Sequence, residues 1–282
     1  MRLYAVGTFV CFSVISILWP APASCRSSDQ SAESAKTTND FARLHQKAAL
    51  GDPVAQFQTG FAYETGTGTG QDYAEAARWY RKAADHGDPG AQNNLGGLYS
   101  RGLGVPQNDV LAAQWYLRAA SEGYPAAENN IGYMFANGRG IDQNIQAAIS
   151  WYRKAAEHGY AAAENNLGFL YAGGRGVAID LQEAVSWYLR AAKRGYAPAE
   201  YNLGLIYLNE GNIQDVDKGL RWLGLAAQQG FSAAANRLGL AYENGQGVTQ
   251  DHKIAAQWYR LAVKQGSAEA QHNLELLHFS NP

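Results

Sequence analysis

Residues 88–123 read DPGAQNNLGGLYSRGLGVPQNDVLAAQWYLRAASEG, and related stretches recur along the chain with tryptophan as their clearest marker. Successive marker tryptophans are separated by 36, 36, 36, 35 and 36 residues. Glycine follows each of them by eight residues, and asparagine or aspartate precedes each by seven. A self-similar period of about 20–50 residues is typical of stacked-repeat architectures. The marker residues are Trp79, Trp115, Trp151, Trp187, Trp222 and Trp258.

Each repeat is predicted to form two helices, because apolar residues follow a helical period twice within it. The first, helix A, is expected over about residues 89–101, with Asp88 as its N-cap and a Gly-x-Gly turn after it. The second, helix B, begins after the cap Asn108 and carries Trp115 on its apolar stripe. Gly123 is expected to end helix B in a left-handed conformation.

Glycine also recurs in the interior of helix A. Each such glycine costs about 1 kcal/mol relative to alanine. A cost repeated in every unit indicates that another helix must approach closely at this point. A single helical pair cannot bury its own apolar stripe, so neighbouring repeats must stack into an all-α solenoid. The helix-A glycines are Gly60, Gly96, Gly132, Gly168, Gly204 and Gly239.

Three strings, AQNNLGGLY at 91–99, GLGV at 102–105 and WYLRAA at 115–120, resemble the Sel-one-like repeat, a relative of the tetratricopeptide repeat. The resemblance covers residues 41–282. It implies a right-handed α-solenoid of about six 36-residue helix-turn-helix repeats, with helix A on the concave side. Partial repeats near both ends are expected to form capping helices. The resemblance also implies an adaptor or scaffold role in an export compartment, signalling or host contact.

The first 23 residues have the features of an export signal. Arg2 supplies a basic start, residues 3–19 carry no charge, and Ala21 and Ala23 suit a cleavage site. Two alternatives stay open. One is an uncleaved anchor helix, because residues 3–19 reach the short limit of a membrane span, about 17 residues. The other is a bacterial lipoprotein with Cys25 as its lipidated residue. All three place the repeats in the periplasm, in the secreted fraction or on a membrane.

Residues 24–39 are rich in serine, threonine and charged residues, and alanine is their main apolar content. Such a composition buries too little surface to offset the entropy of ordering the chain. We therefore expect a signal peptide at 1–23, a flexible tether at 24–39 and the repeat solenoid at 41–282.

Composition and spacing argue against catalysis and against cofactor binding. The net charge is −2, and no clustered basic face suggests nucleic-acid binding. The Gly-x-Gly pairs lack the strand and the lysine of a phosphate loop. His86 and His158 share a slot at the end of helix B, where a cation suits the helix dipole, and no histidine pair has metal-ligand spacing. We expect no enzymatic activity, metal, cofactor or nucleic acid, and membrane contact only through the N-terminus.

A basic residue recurs about one turn after four of the tryptophans. This stripe could contact an anionic membrane or nucleic acid, but positive charge is also ordinary in the last turn of a helix. Acidic neighbours favour the second interpretation. The residues are Lys82, Arg118, Lys154 and Arg190.

Helix A carries further residues that its own apolar stripe does not use. At 100° per residue they point away from the centre of that stripe. Side-chain amides could hold an extended peptide backbone, and neighbouring aromatic side chains could form pockets for its residues. The alternative is that paired asparagines are ordinary for the family that the chain resembles, and that the register of Tyr133 and Phe169 packs on adjacent A helices. The candidate partner-binding residues are Asn93, Asn94, Asn129, Asn130, Tyr133, Asn165, Asn166, Phe169, Tyr201 and Asn202.

The sequence thus favours an exported scaffold that binds a partner protein or peptide on the concave helix-A face, with regulation in an export compartment as one output. The alternative is a carbohydrate or cell-wall binding module that uses the concave aromatic residues.

Overall fold

The computed structural model describes residues 30–209 and 213–280. These ranges contain fourteen α-helices and no β-strand, which confirms the all-α prediction. The helices are α1 (Gln30–Ala49), α2 (Pro53–Thr65), α3 (Tyr73–Asp85), α4 (Pro89–Arg101), α5 (Asp109–Ser121), α6 (Pro125–Asn137), α7 (Ile145–Glu157), α8 (Ala161–Gly173), α9 (Leu181–Ala192), α10 (Ala197–Asn209), α11 (Val216–Gln228), α12 (Ser232–Asn244), α13 (His252–Lys264) and α14 (Ala268–Ser280).

The helix boundaries follow from capping residues that recur in register. Helix α4 spans Pro89–Arg101, and the Asp88 side chain accepts a hydrogen bond from the backbone of Ala91. Every helix B from α3 to α13 begins after an aspartate or asparagine whose side chain accepts a backbone N–H of the first turn, a contribution of about 1 kcal/mol per cap. The glycine that follows each helix B, such as Gly123 with φ 77°, takes the left-handed conformation that ends the helix.

Helices A and B of each repeat pack closely at the helix-A glycine, as predicted. An added Cβ at Gly132 would lie 2.8 Å from ring carbons of Tyr152, the buried tyrosine of helix B in the same repeat. At Gly96 the corresponding distance to Tyr116 is 3.0 Å. In repeat five, Leu223 takes the place of the tyrosine and lies against Gly204. The glycines therefore serve inter-helix contact, which explains why their cost in helix propensity recurs.

The chain divides into two compact units, with the boundary between Tyr160 and Ala161. The N-terminal unit contains the described helices α1–α7, and the C-terminal unit contains α8–α14. In each, consecutive helices pack in antiparallel-hairpin order, and alanines, leucines and the helix-B tyrosines fill the layers between them. The small alanine side chains permit the close helix spacing of a repeat stack.

The structure corrects the prediction for the end of the tether. Helix α1 begins at Gln30, so residues 30–39 are helical. Alanine, glutamate and lysine, which are good helix formers, occur in this stretch and extend the first packed helix backward. The proposed signal peptide and Cys25 lie outside the described residues. Within 30–209 and 213–280, no helix combines the length and apolar content needed to cross a membrane.

Candidate protein-binding face

One residue of each helix A, the ninth, lies at the surface in a regular row. In the C-terminal unit this row consists of Phe169, Leu205, Leu240 and Leu276, which we call the apolar row. The first three are partly exposed, and Leu276 is 49% exposed. In the N-terminal unit, Phe61 is 40% exposed and Tyr133 is partly exposed, with a glycine at the position between them.

Polar side chains one turn further along helix A flank the apolar row. The Asn209 side-chain amide donates to the backbone oxygen of Leu205 at 3.0 Å, and the Asn244 amide donates to that of Leu240 at 2.9 Å. These local bonds fix the amides at the ends of their helices. The Arg175 guanidinium lies 5.1 Å from the ring centroid of Phe169. The row is therefore an apolar strip with ordered polar groups along one side.

The asparagines predicted to hold a peptide are used differently. Asn129, Asn165 and Asn202 are buried, which contradicts the expectation that they point to solvent. The Asn202 amide donates to the side-chain oxygen of Asn165, one repeat earlier, at 2.9 Å. This bond joins adjacent A helices, so these asparagines serve packing between repeats.

The same bond recurs elsewhere in the array. The Asn130 amide donates to Asn93 at 3.0 Å, and Asn273 donates to Asn236 at 2.9 Å. The Asn93 amide donates to Asn94 at 3.1 Å, and Asn94 donates to the hydroxyl of Tyr80 at 3.1 Å. The paired asparagines thus form an inter-repeat ladder of hydrogen bonds. Within a repeat stack such bonds satisfy polar groups and set the register of one repeat on the next.

The remaining predicted residues lie either on the surface row or against neighbouring side chains. Tyr133 and Phe169 belong to the surface row and are partly exposed, so their role in binding stays a prediction. Tyr201 is partly exposed and packs against Phe231, with ring centroids 5.2 Å apart, and burial raises the pKa of its hydroxyl. Asn166 is partly exposed and has its own contacts. Leu276 was not predicted, although its position, one period after Leu240, was visible in the sequence.

Buried carboxylates near the start of helix A also escaped prediction. Glu128, Glu164 and Glu200 occupy the fourth position of three successive A helices and are buried. Each faces a polar group at the end of helix B in its own repeat: His158 at 3.9 Å, Arg190 at 3.1 Å or Gln229 at 2.7 Å. Their recurrence between alanines was the signal that could have revealed them.

The surroundings of two of these acids, Glu128 and Glu200, shift the pKa of their carboxyl groups. Burial raises the pKa of Glu128, while His158 and Lys154 oppose that shift. Burial also raises the pKa of Glu200, and the hydrogen bond from Gln229 opposes it. Because each carboxylate is enclosed between two helices, it is positioned to join those helices and not to contact a ligand.

The predicted basic stripe consists of cation–π pairs. Each basic residue lies over the ring of the tryptophan three residues before it in the same helix. Such a pair contributes about 0.5–1 kcal/mol at an exposed site. The stripe therefore has a local structural role that requires no anionic ligand. The distances from cation to ring centroid are 3.8 Å for Lys82, 4.5 Å for Arg118, 4.0 Å for Lys154 and 4.4 Å for Arg190.

Among the described residues, no group of three or more histidine, cysteine, aspartate or glutamate side chains could hold a metal ion. The prominent surface feature of the A helices is therefore the apolar row.

Comparison with known proteins agrees with this architecture. The Sel1 repeat model matches six consecutive segments, at residues 53–88, 89–124, 125–160, 161–196, 197–231 and 232–267. No curated protein sequence matches the chain.

Solved structures of similar fold come from several bacteria. A Sel1 repeat protein from Oxalobacter formigenes has 33% identity and a TM-score of 0.75 over 83% of this chain and 94% of that one. The protective antigen c5321 of uropathogenic Escherichia coli, with an SLR fold, has 30% identity and a TM-score of 0.66. That match covers 90% of this chain but 58% of the antigen. Immunity protein Pa5087 from Pseudomonas aeruginosa has 25% identity and a TM-score of 0.54, covering 76% and 81% of the two chains.

Sel1 repeats generally mediate protein–protein interaction, and their fold is in general a non-enzymatic scaffold. The six consecutive matches cover most of the sequence, and their boundaries coincide with the helical pairs of the structure. The chain belongs to the Sel1 repeat family.

Proposed function

We propose that this protein is an exported scaffold that binds a partner protein or peptide along the apolar row of its C-terminal unit. The observation that carries the proposal is the row itself. Phe169, Leu205, Leu240 and Leu276 recur at the period of the repeat, on helices whose other sides are packed. Exposed apolar groups in a contiguous arrangement mark interaction sites.

The chemistry of the row favours a polypeptide ligand. Three of its four residues are leucines, which suit the apolar side chains of a helix or an extended segment. Binding of a sugar would be better served by the flat faces of aromatic rings, and this row has one. Polar side chains along its edge, including Asn244 and Arg237, can bond to the groups that flank apolar anchors in a peptide.

The compartment is part of the proposal. It rests on the basic start, the uncharged segment and the alanines of residues 1–23. Binding of a partner by a scaffold requires neither ATP nor a cofactor, so it can take place in the periplasm or outside the cell. Regulation of an envelope protein is one role that fits this description.

Site-specific photo-crosslinking in the native cell tests the proposed face. A photoreactive residue replaces Leu205 in one strain. In another strain it replaces Ser186, an exposed residue of α9, which is a helix B. We expect a discrete protein adduct from position 205 and none from position 186. Mass spectrometry of the adduct identifies the partner. Adducts from position 186 alone, or adducts with glycan, would contradict the proposal.

A further inference from the structure

The first described helix has the features of a helix B without a helix A before it among the described residues. Gly51, which follows α1, has φ 98°, as Gly87 after α3 has φ 91°. Counting back from these glycines places Leu44 where α3 has Tyr80. Ala48 is buried, like its counterpart Ala84. Helix α1 therefore packs on the next helix A in the usual way, while its other face has no repeat partner in the described chain.

That other face borders a groove of about 290 Å³. Asp40, Leu44 and Lys47 line it from α1, and Val54 and Gln58 line it from α2. Val54 is 61% exposed. The groove thus combines an aliphatic floor with charged and amide groups at its sides.

In the interior of the array the same face is fully covered. Ala76, Tyr80 and Ala83 occupy the equivalent positions of α3, and each is 0% exposed. Tyr80 lies against Gly60 of the helix A in its own repeat. The counterpart of Val54 is Gly90, which lies close to Phe57 of the preceding helix A. The groove is therefore continuous with the repeat-to-repeat interface and has the shape that a helix A fills elsewhere.

Interior contacts define which helix would fit. The residue opposite Leu44 must be small, because Gly204 meets Leu223 with no room for a Cβ. The sixth residue of a helix A donates its amide to the fifth residue of the preceding one, as Asn130 does to Asn93 at 3.0 Å. Gln58 is the sixth residue of α2, so the occupant should offer a hydrogen-bond acceptor there.

Two candidate segments of this chain match those requirements poorly. In α14, a helix A at the other end of the array, Glu275 stands at the glycine position. A glutamate there would collide with Leu44, so end-to-end stacking of two copies is disfavoured. Residues 17–29 are the sequence positions that a helix A before α1 would take in the repeat register. They contain Pro20 and Pro22, and proline in the interior of a helix costs about 3 kcal/mol.

We propose that this groove docks an amphipathic helix from a partner protein. The helix presents glycine to Leu44, and its fifth residue, beside Val54, offers an asparagine or carboxylate oxygen to the Gln58 amide. This surface lies in the N-terminal unit, and the proposal does not depend on binding at the apolar row.

A model ligand tests the proposal. The probe is a peptide of residues 125–137, PAAENNIGYMFAN, held helical by a staple on its solvent-facing side. It offers Asn129 and Gly132 at the required positions. We expect saturable binding to the full chain, weakened at least about tenfold by Val54→Asp. Val110→Asp, at a comparably exposed aliphatic site (53%), should leave the affinity unchanged, as a matched control. A peptide carrying Gly132→Glu should not bind.

A photoreactive residue at position 54 identifies the occupant. An adduct with the peptide supports the proposal. Failure of the peptide to bind, or equal binding by the Val54→Asp variant with an unchanged melting curve, would overturn it. An adduct in the purified protein alone with residues before 30, or with a second copy, would also overturn it by assigning the groove to this chain.

Discussion

Alanine at two glycines of the N-terminal unit should have different effects on stability. Gly132 lies in α6 and faces the Tyr152 ring of helix B in its repeat, whereas Gly97 lies in α4 next to Gly96, at the edge of the corresponding interface near the Tyr116 hydroxyl. Either change removes the helix-propensity cost of glycine, a gain of about 1 kcal/mol. Their surroundings decide whether that gain is kept.

The distances give the magnitude. At Gly97 an added Cβ meets its nearest neighbours at 3.6 Å, an ordinary contact. At Gly132 it would lie 2.8 Å from two ring carbons of Tyr152, which is 3% exposed and cannot move aside freely. Overpacking of this kind costs about 1–3 kcal/mol. We expect Gly97→Ala to stabilise the protein, and Gly132→Ala to be less stable than Gly97→Ala by about 1–3 kcal/mol.

Urea unfolding followed by circular dichroism measures this difference, provided the slope of the transition is the same for both variants. Equal stabilisation by the two alanine variants would refute the argument that the helix-A glycines exist for contact with helix B.

Three further outcomes are expected. Because the pKa of Glu128 is raised by burial, the folded state holds this proton more tightly, and stability is lost as pH rises from the ordinary value through the raised pKa. Glu128→Gln should remove that loss, so its advantage over the parent in urea titrations should be larger near about pH 7 than near about pH 4. Arg118→Gln should cost about 0.5–1 kcal/mol in the same assay, and Lys193→Gln, which removes an exposed cation at a helix end, should cost less. A fusion of residues 1–40 to a reporter active only outside the cytosol should be active, and lipid-analogue labelling abolished by Cys25→Ala would select the lipoprotein alternative.

The helical framework could be predicted from the sequence because its signals are local. Asp88, Pro89 and the glycine after Arg101 bound α4 where the structure has it. The repeated glycine predicted a close helix contact, because only a contact of that kind justifies its cost in every unit.

The site was harder to predict because it depends on contacts between repeats. On a wheel drawn for one helix, Asn129 and Asn165 point away from the stripe that meets helix B. In the structure both are buried, and Asn165 accepts a hydrogen bond from Asn202 of the next helix A. A single repeat cannot reveal this burial, because the sequence period does not show which side of helix A the neighbouring repeat covers. The buried Glu164 was missed because its arginine partners lie at the end of helix B, 26 and 30 residues later in the same repeat.

The central claim, that the apolar row binds the partner, is tested most directly by the affinity of Phe169→Ala combined with Leu205→Ala for the protein captured at position 205. Both side chains are partly exposed, so the melting temperature should change little. We expect a loss of about 2 kcal/mol or more, roughly 30-fold in Kd, if the two residues are binding hot spots. An unchanged Kd together with a lowered melting temperature would contradict the claim and show that these residues serve packing alone.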